Sequence, residues 1–173
     1  MITVQELQHK SIQEIIRILD VRVDGYASAD LKKLAYALEV SALSYNFDAL
    51  TRGGVKLLCT FVTNEKGRSC IFYNEELSNE ECRIIVTKAF ARYILTGNKS
   101  FSITPSTTFS KQENRLVYEL LMPEEEIYDV IYRLILPTTL NLANVFDVTQ
   151  EFVRERLDEI RNSLPRMVGG YDF

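Results

Sequence analysis

Histidine is nearly missing from this chain. His9 is the only one in 173 residues. A catalytic zinc site built on two or three imidazoles therefore cannot be assembled from it. A Ser-His-Asp or Cys-His arrangement is also missing, since His9 stands far along the chain from every cysteine. Cys59, Cys70 and Cys82 are odd in number, widely spaced and free of any C-x-x-C pair. They read as buried thiols in a reducing compartment. No basic-then-apolar run opens the chain, and no segment has membrane-spanning length, so a cytoplasmic location without membrane contact is expected. Net charge is −4, so the basic footprint of a nucleic-acid binder is wanting. Internal repeats, low-complexity runs and a Gly-rich phosphate loop are likewise absent from the sequence.

What remains is ordinary globular material. Hydrophobic residues make up 46% and charged residues 25%, and the length favours one domain with a proper core.

The strongest local signal is residues 78–95. Ser78 is a good N-cap and Glu81 can close a capping box. Cys82, Ile85, Val86, Ala89, Phe90, Tyr93 and Ile94 recur at the spacing of one apolar helix face. Lys88 and Arg92 flank that stripe one turn apart. Taken alone they read as solvated surface cations. Yet H-E-x-x-H places two zinc ligands at this same spacing on one helix face, and Lys88-Ala89-Phe90-Ala91-Arg92 stands where such a motif would stand.

Around this helix the chain reads as follows. Residues 3–19 predict one helix, with His9 on its polar side. Asp24-Gly25 marks a turn, and Asp30 caps a short helix carrying Leu31, Leu34, Ala35 and Leu38. Residues 42–47, 55–63 and 69–73 are strand-like, Gly53-Gly54 marks a turn, and Asn64 to Gly67 gives a hairpin signal. Residues 97–109 read as a polar loop. Helices are predicted over 111–121 and, behind Pro123, over 124–134. Leu140 to Phe146, a tight turn, and a last helix capped by Thr149 have the shape of a helix-turn-helix. A loose tail follows.

Several of these pieces carry a family pattern. Residues 30–40 resemble a "DL..LA..LGI" helix, and Cys70 to Asn74 an "I.YN" strand. The helix over 78–95 resembles "LS..R.RFT.AHELGHYLL". Residues 113–123 resemble "E..AN.FA.ELLMP", and residues 142–157 "LA..F.VS...V..RL". In this order, from about Ala29 to Ile160, the chain resembles the ImmA/IrrE family of bacterial and phage regulatory zinc peptidases. The resemblance implies an α+β, zincin-like domain over residues 1–137, with a small antiparallel sheet packed on helices. A helix-turn-helix-like unit over 138–164 would pack on it, with a tail over 165–173.

Residue by residue, the resemblance puts the family's first histidine ligand on Lys88, its general-base glutamate on Ala89, its second histidine on Arg92 and its third ligand on Ser110. Hydrolysis at such a site needs a metal with an open position and a carboxylate to take a proton from water. Lysine and arginine are cations without a usable lone pair, and alanine accepts no proton. Gln112 and Glu113, or Glu80, Glu81 and Cys82, build no tetrahedral replacement. Catalytic residues, metal and cofactor are therefore all expected to be missing.

The expectation is a pseudo-peptidase that binds another protein. The resemblance supplies the partner class, a helix-turn-helix repressor of a phage or mobile element. Two alternatives stand beside it. One is DNA binding through the C-terminal unit, although Glu151, Glu155, Asp158 and Glu159 are set against Arg154, Arg156 and Arg161. The other is a metallopeptidase with an unrecognised metal site. Glu124-Glu125-Glu126 opens a helix, where acids are simply stabilising. In the old cleft, Lys88 or Arg92 is expected to pair with Glu113 or Glu119.

Overall fold

The computed structural model describes residues 2–20, 31–47, 54–134 and 137–163. The turn expected at Asp24-Gly25, the cap expected at Asp30, Gly53 and the tail from 165 onward lie outside these residues.

Two short helices, α1 (Val4–Leu7) and α2 (Ile12–Leu19), open the described chain. One continuous helix was expected here. Ser11 divides it: its hydroxyl accepts the Glu14 N–H at 3.3 Å, and the Glu14 carboxylate takes the Ser11 N–H at 2.9 Å. This capping box starts a new helix, whereas a Ser inside a continuous one would compete with its backbone. Leu7, Ile15, Ile16 and Leu19 are buried from both pieces. His9 is exposed.

Next come α3 (Leu31–Ala37), then β1 (Val40–Tyr45), β2 (Cys59–Thr63) and β3 (Ser69–Asn74). Strands β2 and β3 form an antiparallel hairpin. Asn64 Oδ1 accepts the N–H groups of Lys66 and Arg68 in its turn, and Gly67 takes φ 77°, a left-handed conformation that suits glycine. The central helix α4 (Asn79–Thr96) follows, and then β4 (Ser100–Ile103). The sheet order is β1-β3-β2-β4. The sheet is mixed and not antiparallel as expected, because β1 runs parallel to β3. Strand β4, in the stretch read as a loop, pairs antiparallel with β2 and brings Phe101 opposite Phe61. Their rings stack at 5.1 Å, with Tyr93 of α4 tilted against Phe61 at 4.4 Å.

The C-terminal half is helical: α5 (Lys111–Leu121), α6 (Glu124–Arg133), α7 (Thr139–Phe146) and α8 (Gln150–Ser163). Thr149 caps α8 through the Phe152 N–H at 3.2 Å.

Helix α4 lies between the sheet and α5, with α1 against it as well. Ser78 and Glu81 exchange the expected capping bonds, and Gly97 ends the helix at φ 64°. Its buried surface is wider than one stripe. Ile84, Thr87 and Ala91 are buried along with Ile85, Val86, Ala89, Phe90 and Ile94. Cys82 and Tyr93, assigned to the stripe, are only half-buried. A helix covered on opposite sides loses the amphipathic contrast of a surface helix.

Among the cysteines Cys59 is fully buried, and Cys70 and Cys82 are half-buried. Burial pushes the Cys59 thiol up to about 12, helped by the neighbouring Cys82 and Cys70 sulfurs, and raises the other two. All three thiols are therefore poor nucleophiles. Among the described residues no helix is long and apolar enough to cross a membrane.

Candidate functional site

One helical turn of α4 brings Lys88 and Arg92 to the same side, about 40° apart round the axis. Facing them is the segment between β4 and α5. Phe109, in that segment, is the shared surface. The Lys88 ammonium lies 5.1 Å from its ring centroid and the Arg92 guanidinium 4.4 Å. Phe101 of β4 lies further off, 5.8 Å from the same guanidinium. Cations are held over aromatic faces by the ring quadrupole.

Arg92 makes two further bonds. Its Nε donates to Oε1 of Glu113 at 2.6 Å, and its Nη2 donates to the Thr108 carbonyl at 2.6 Å. The guanidinium thus ties α4 to both the loop and α5. Arginine suits this because its donors are fixed in one plane and can serve a carboxylate and a carbonyl together.

Glu113 is held from the other side by its own helix. Its Oε2 accepts the Ser110 N–H at 2.6 Å, while Ser110 Oγ accepts the Glu113 N–H at 3.1 Å. Ser110 is therefore the N-cap of α5, with its hydroxyl engaged by the helix it starts. Burial of Glu113 pushes its carboxyl up. The hydrogen bonds from Arg92 and Ser110 and the adjacent guanidinium outweigh that, so it sits below the ordinary value of 4.5. The side chains of Arg92 and Glu113 retain only 17% and 7% of their exposure, so the pair is well shielded from screening.

The other members of the set behave differently. Ala89 is wholly buried and presents a methyl group to its neighbours. Lys88 makes no ion pair among the described residues. Glu119, the other candidate partner for Lys88 or Arg92, pairs with neither among the described residues. It lies six residues after Glu113, about 120° round α5, and meets Arg156 of α8 instead, Oε1 to Nη2 at 2.6 Å.

Arg156, counted among the cations of a would-be DNA-binding helix, is 1% exposed. Its Nε donates to the Met122 carbonyl at 3.1 Å, Nη1 pairs with Glu159, and the guanidinium lies 5.4 Å from the Tyr118 ring centroid. Sequence reasoning also missed Asn74, a buried amide. Its side chain donates to the Leu57 carbonyl and accepts the Glu76 N–H, shaping the bend from β3 into α4. The burial of both was signalled only by their places in family-like motifs.

A mixed sheet over a central helix, with a polar cluster joining that helix to α5, is compatible with a zincin-like peptidase domain. The comparison with known families makes this specific. The profile of the IrrE N-terminal-like domain matches residues 50–158, well over half of the chain. The chain belongs to that family. No curated protein and no solved structure matches it.

The metal that this family implies does not suit the residues present. At the positions that the motif resemblance assigns to its ligands stand an ammonium, a guanidinium already bonded to Glu113, and a serine committed to capping α5. Two cations would repel a divalent ion, and neither can donate a lone pair to it. Among the described residues no group of three His, Cys, Asp or Glu side chains is placed to hold a metal.

Proposed function

We propose that this protein is a catalytically inactive member of its family that works by binding another protein. The observation that carries the reading is the Arg92–Glu113 bond. A guanidinium stands where the family's second histidine would, bridging α4 to α5 and to the loop before it. The fold is kept while the groups that would activate water are replaced. Lys88 and Ala89 fit the same reading, since neither supplies a ligand or a base.

The partner class comes from the family resemblance: a helix-turn-helix repressor of a phage or mobile element, held or shielded without being cut. DNA binding by α7 and α8 draws less support. Arg156 is spent inside the protein on Glu119, Glu159 and Met122. Arg161 pairs with Asp158 on its own helix. Of the three cations on α8, the exposed Arg154 alone has no ion pair among the described residues, which is little to neutralise phosphates with.

The test uses the purified protein and any helix-turn-helix repressor encoded near its gene. Size-exclusion chromatography followed by mass spectrometry should find a complex with the repressor intact. Cleaved repressor would overturn the inactive assignment, and no complex at micromolar concentrations would overturn the partner.

A further inference from the structure

Beside the Arg92 cluster, between α4 and the start of α8, lies a small open pocket of about 190 Å³. Its floor is apolar, made by Leu58, Leu77, Ile84, Ile85 and Phe152. At about 30 Å³ per water molecule the space would take about six waters, or one aliphatic side chain. Its rim is charged and lopsided. Glu81 from α4 and Glu151 and Glu155 from α8 line it, against the single ammonium of Lys88.

Two of these carboxylates are not consumed by the fold. Glu151 and Glu155 are exposed and enter no ion pair among the described residues. Glu81 spends one oxygen on the Ser78 N–H at 2.9 Å. Lys88 is drawn toward Phe109, away from a close pairing with any of the three. Two opposing terms are present, since Ser78 and Thr149 put the positive ends of the α4 and α8 dipoles at the rim. Each terminus carries only about half a charge, so the three carboxylates still outweigh both termini and the one ammonium. The rim stays net negative.

We infer that this pocket receives two neighbouring side chains of a partner polypeptide, an aliphatic residue on the floor and a lysine or arginine against the glutamate rim. The inference rests on the reading that the protein binds a protein partner, and it names the chemistry of the contact. An apolar anchor surrounded by complementary charge is how small interface pockets combine affinity with selectivity.

The test uses short fluorescein-labelled peptides of alternating leucine and lysine, with two counterparts: glutamate for lysine, and serine for leucine. Fluorescence anisotropy should find binding of the leucine-lysine peptide, weakening as salt rises, and at least about tenfold weaker binding of both counterparts. Glu151→Lys combined with Glu155→Lys should weaken the leucine-lysine peptide by a similar factor. Both positions are exposed, and circular dichroism checks that the double variant stays folded. Glu65→Lys combined with Glu125→Lys, the same change of net charge elsewhere, should leave binding within about twofold. Equal binding of the glutamate peptide, equal weakening by the two double variants, or no binding of any peptide would overturn the pocket inference alone. Mass spectrometry of the recovered peptide separates the two levels, because a cut peptide would overturn the non-catalytic reading instead.

Discussion

Arg92 and Glu113 meet at 2.6 Å across the gap between α4 and α5, twenty-one residues apart in the chain. Each is held by a second contact of its own, Arg92 by the Thr108 carbonyl and Glu113 by the Ser110 N–H. Removing one partner leaves the other charge shielded from water and unpaired. That asymmetry, more than the bond itself, sets the cost.

Arg92→Met should therefore destabilise the protein by about 2–4 kcal/mol, below the cost for a fully buried pair because some exposure remains. Lys88→Met should cost no more than about 1 kcal/mol, the scale of an exposed cation–aromatic contact. Urea unfolding of the two variants beside wild type measures both. Equal midpoints for all three proteins would mean that Arg92 is an ordinary surface cation.

Glu113 also sets a pH dependence. Its folded carboxyl lies below the ordinary 4.5. A depressed carboxyl contributes stability that is present above the ordinary value and is lost as pH falls through the folded one. Wild type should lose stability more steeply than Glu113→Gln between about pH 5 and pH 3. Parallel stability curves through that window would contradict the assignment.

On the far side of α5, Arg156 is the buried charge that seats α8. Arg156→Met would leave Glu119 without its partner and the Met122 carbonyl without its donor. A loss of about 3–5 kcal/mol is expected by thermal or urea unfolding. A variant within error of wild type would mean that α8 is held by its apolar contacts alone.

Phe90 is fully buried at the centre of α4. Phe90→Ala should cost about 3–5 kcal/mol through lost burial and the cavity left behind. Denaturation curves that overlay would contradict the packing of α4 between sheet and α5.

Much of this was legible in the sequence because the signals were local. Ser78 with Glu81, Lys111 to Leu121, and the Asn64 to Gly67 turn each carry a cap or turn chemistry that needs no tertiary context. Ser11 with Glu14 carried the same information. It was masked by an apolar rhythm that runs on through the break. Strand β4 could not be read from SFSI, which gains its pattern only by pairing with β2. The parallel pairing of β1 with β3 is likewise a property of the assembled sheet. At the site, the spacing of Lys88 and Arg92 was readable, as was the candidacy of Glu113. The rotation that sends Glu119 to another face of α5 follows from helix geometry. Phe109, which organises both cations, sits in a segment without periodicity, and only the fold brings it to α4.

The central claim, that the family's zinc site has been replaced by protein cations, is tested most directly by elemental analysis. The full chain, purified without a histidine tag and dialysed after exposure to zinc, should carry no stoichiometric metal. One tightly bound zinc per chain would contradict the account.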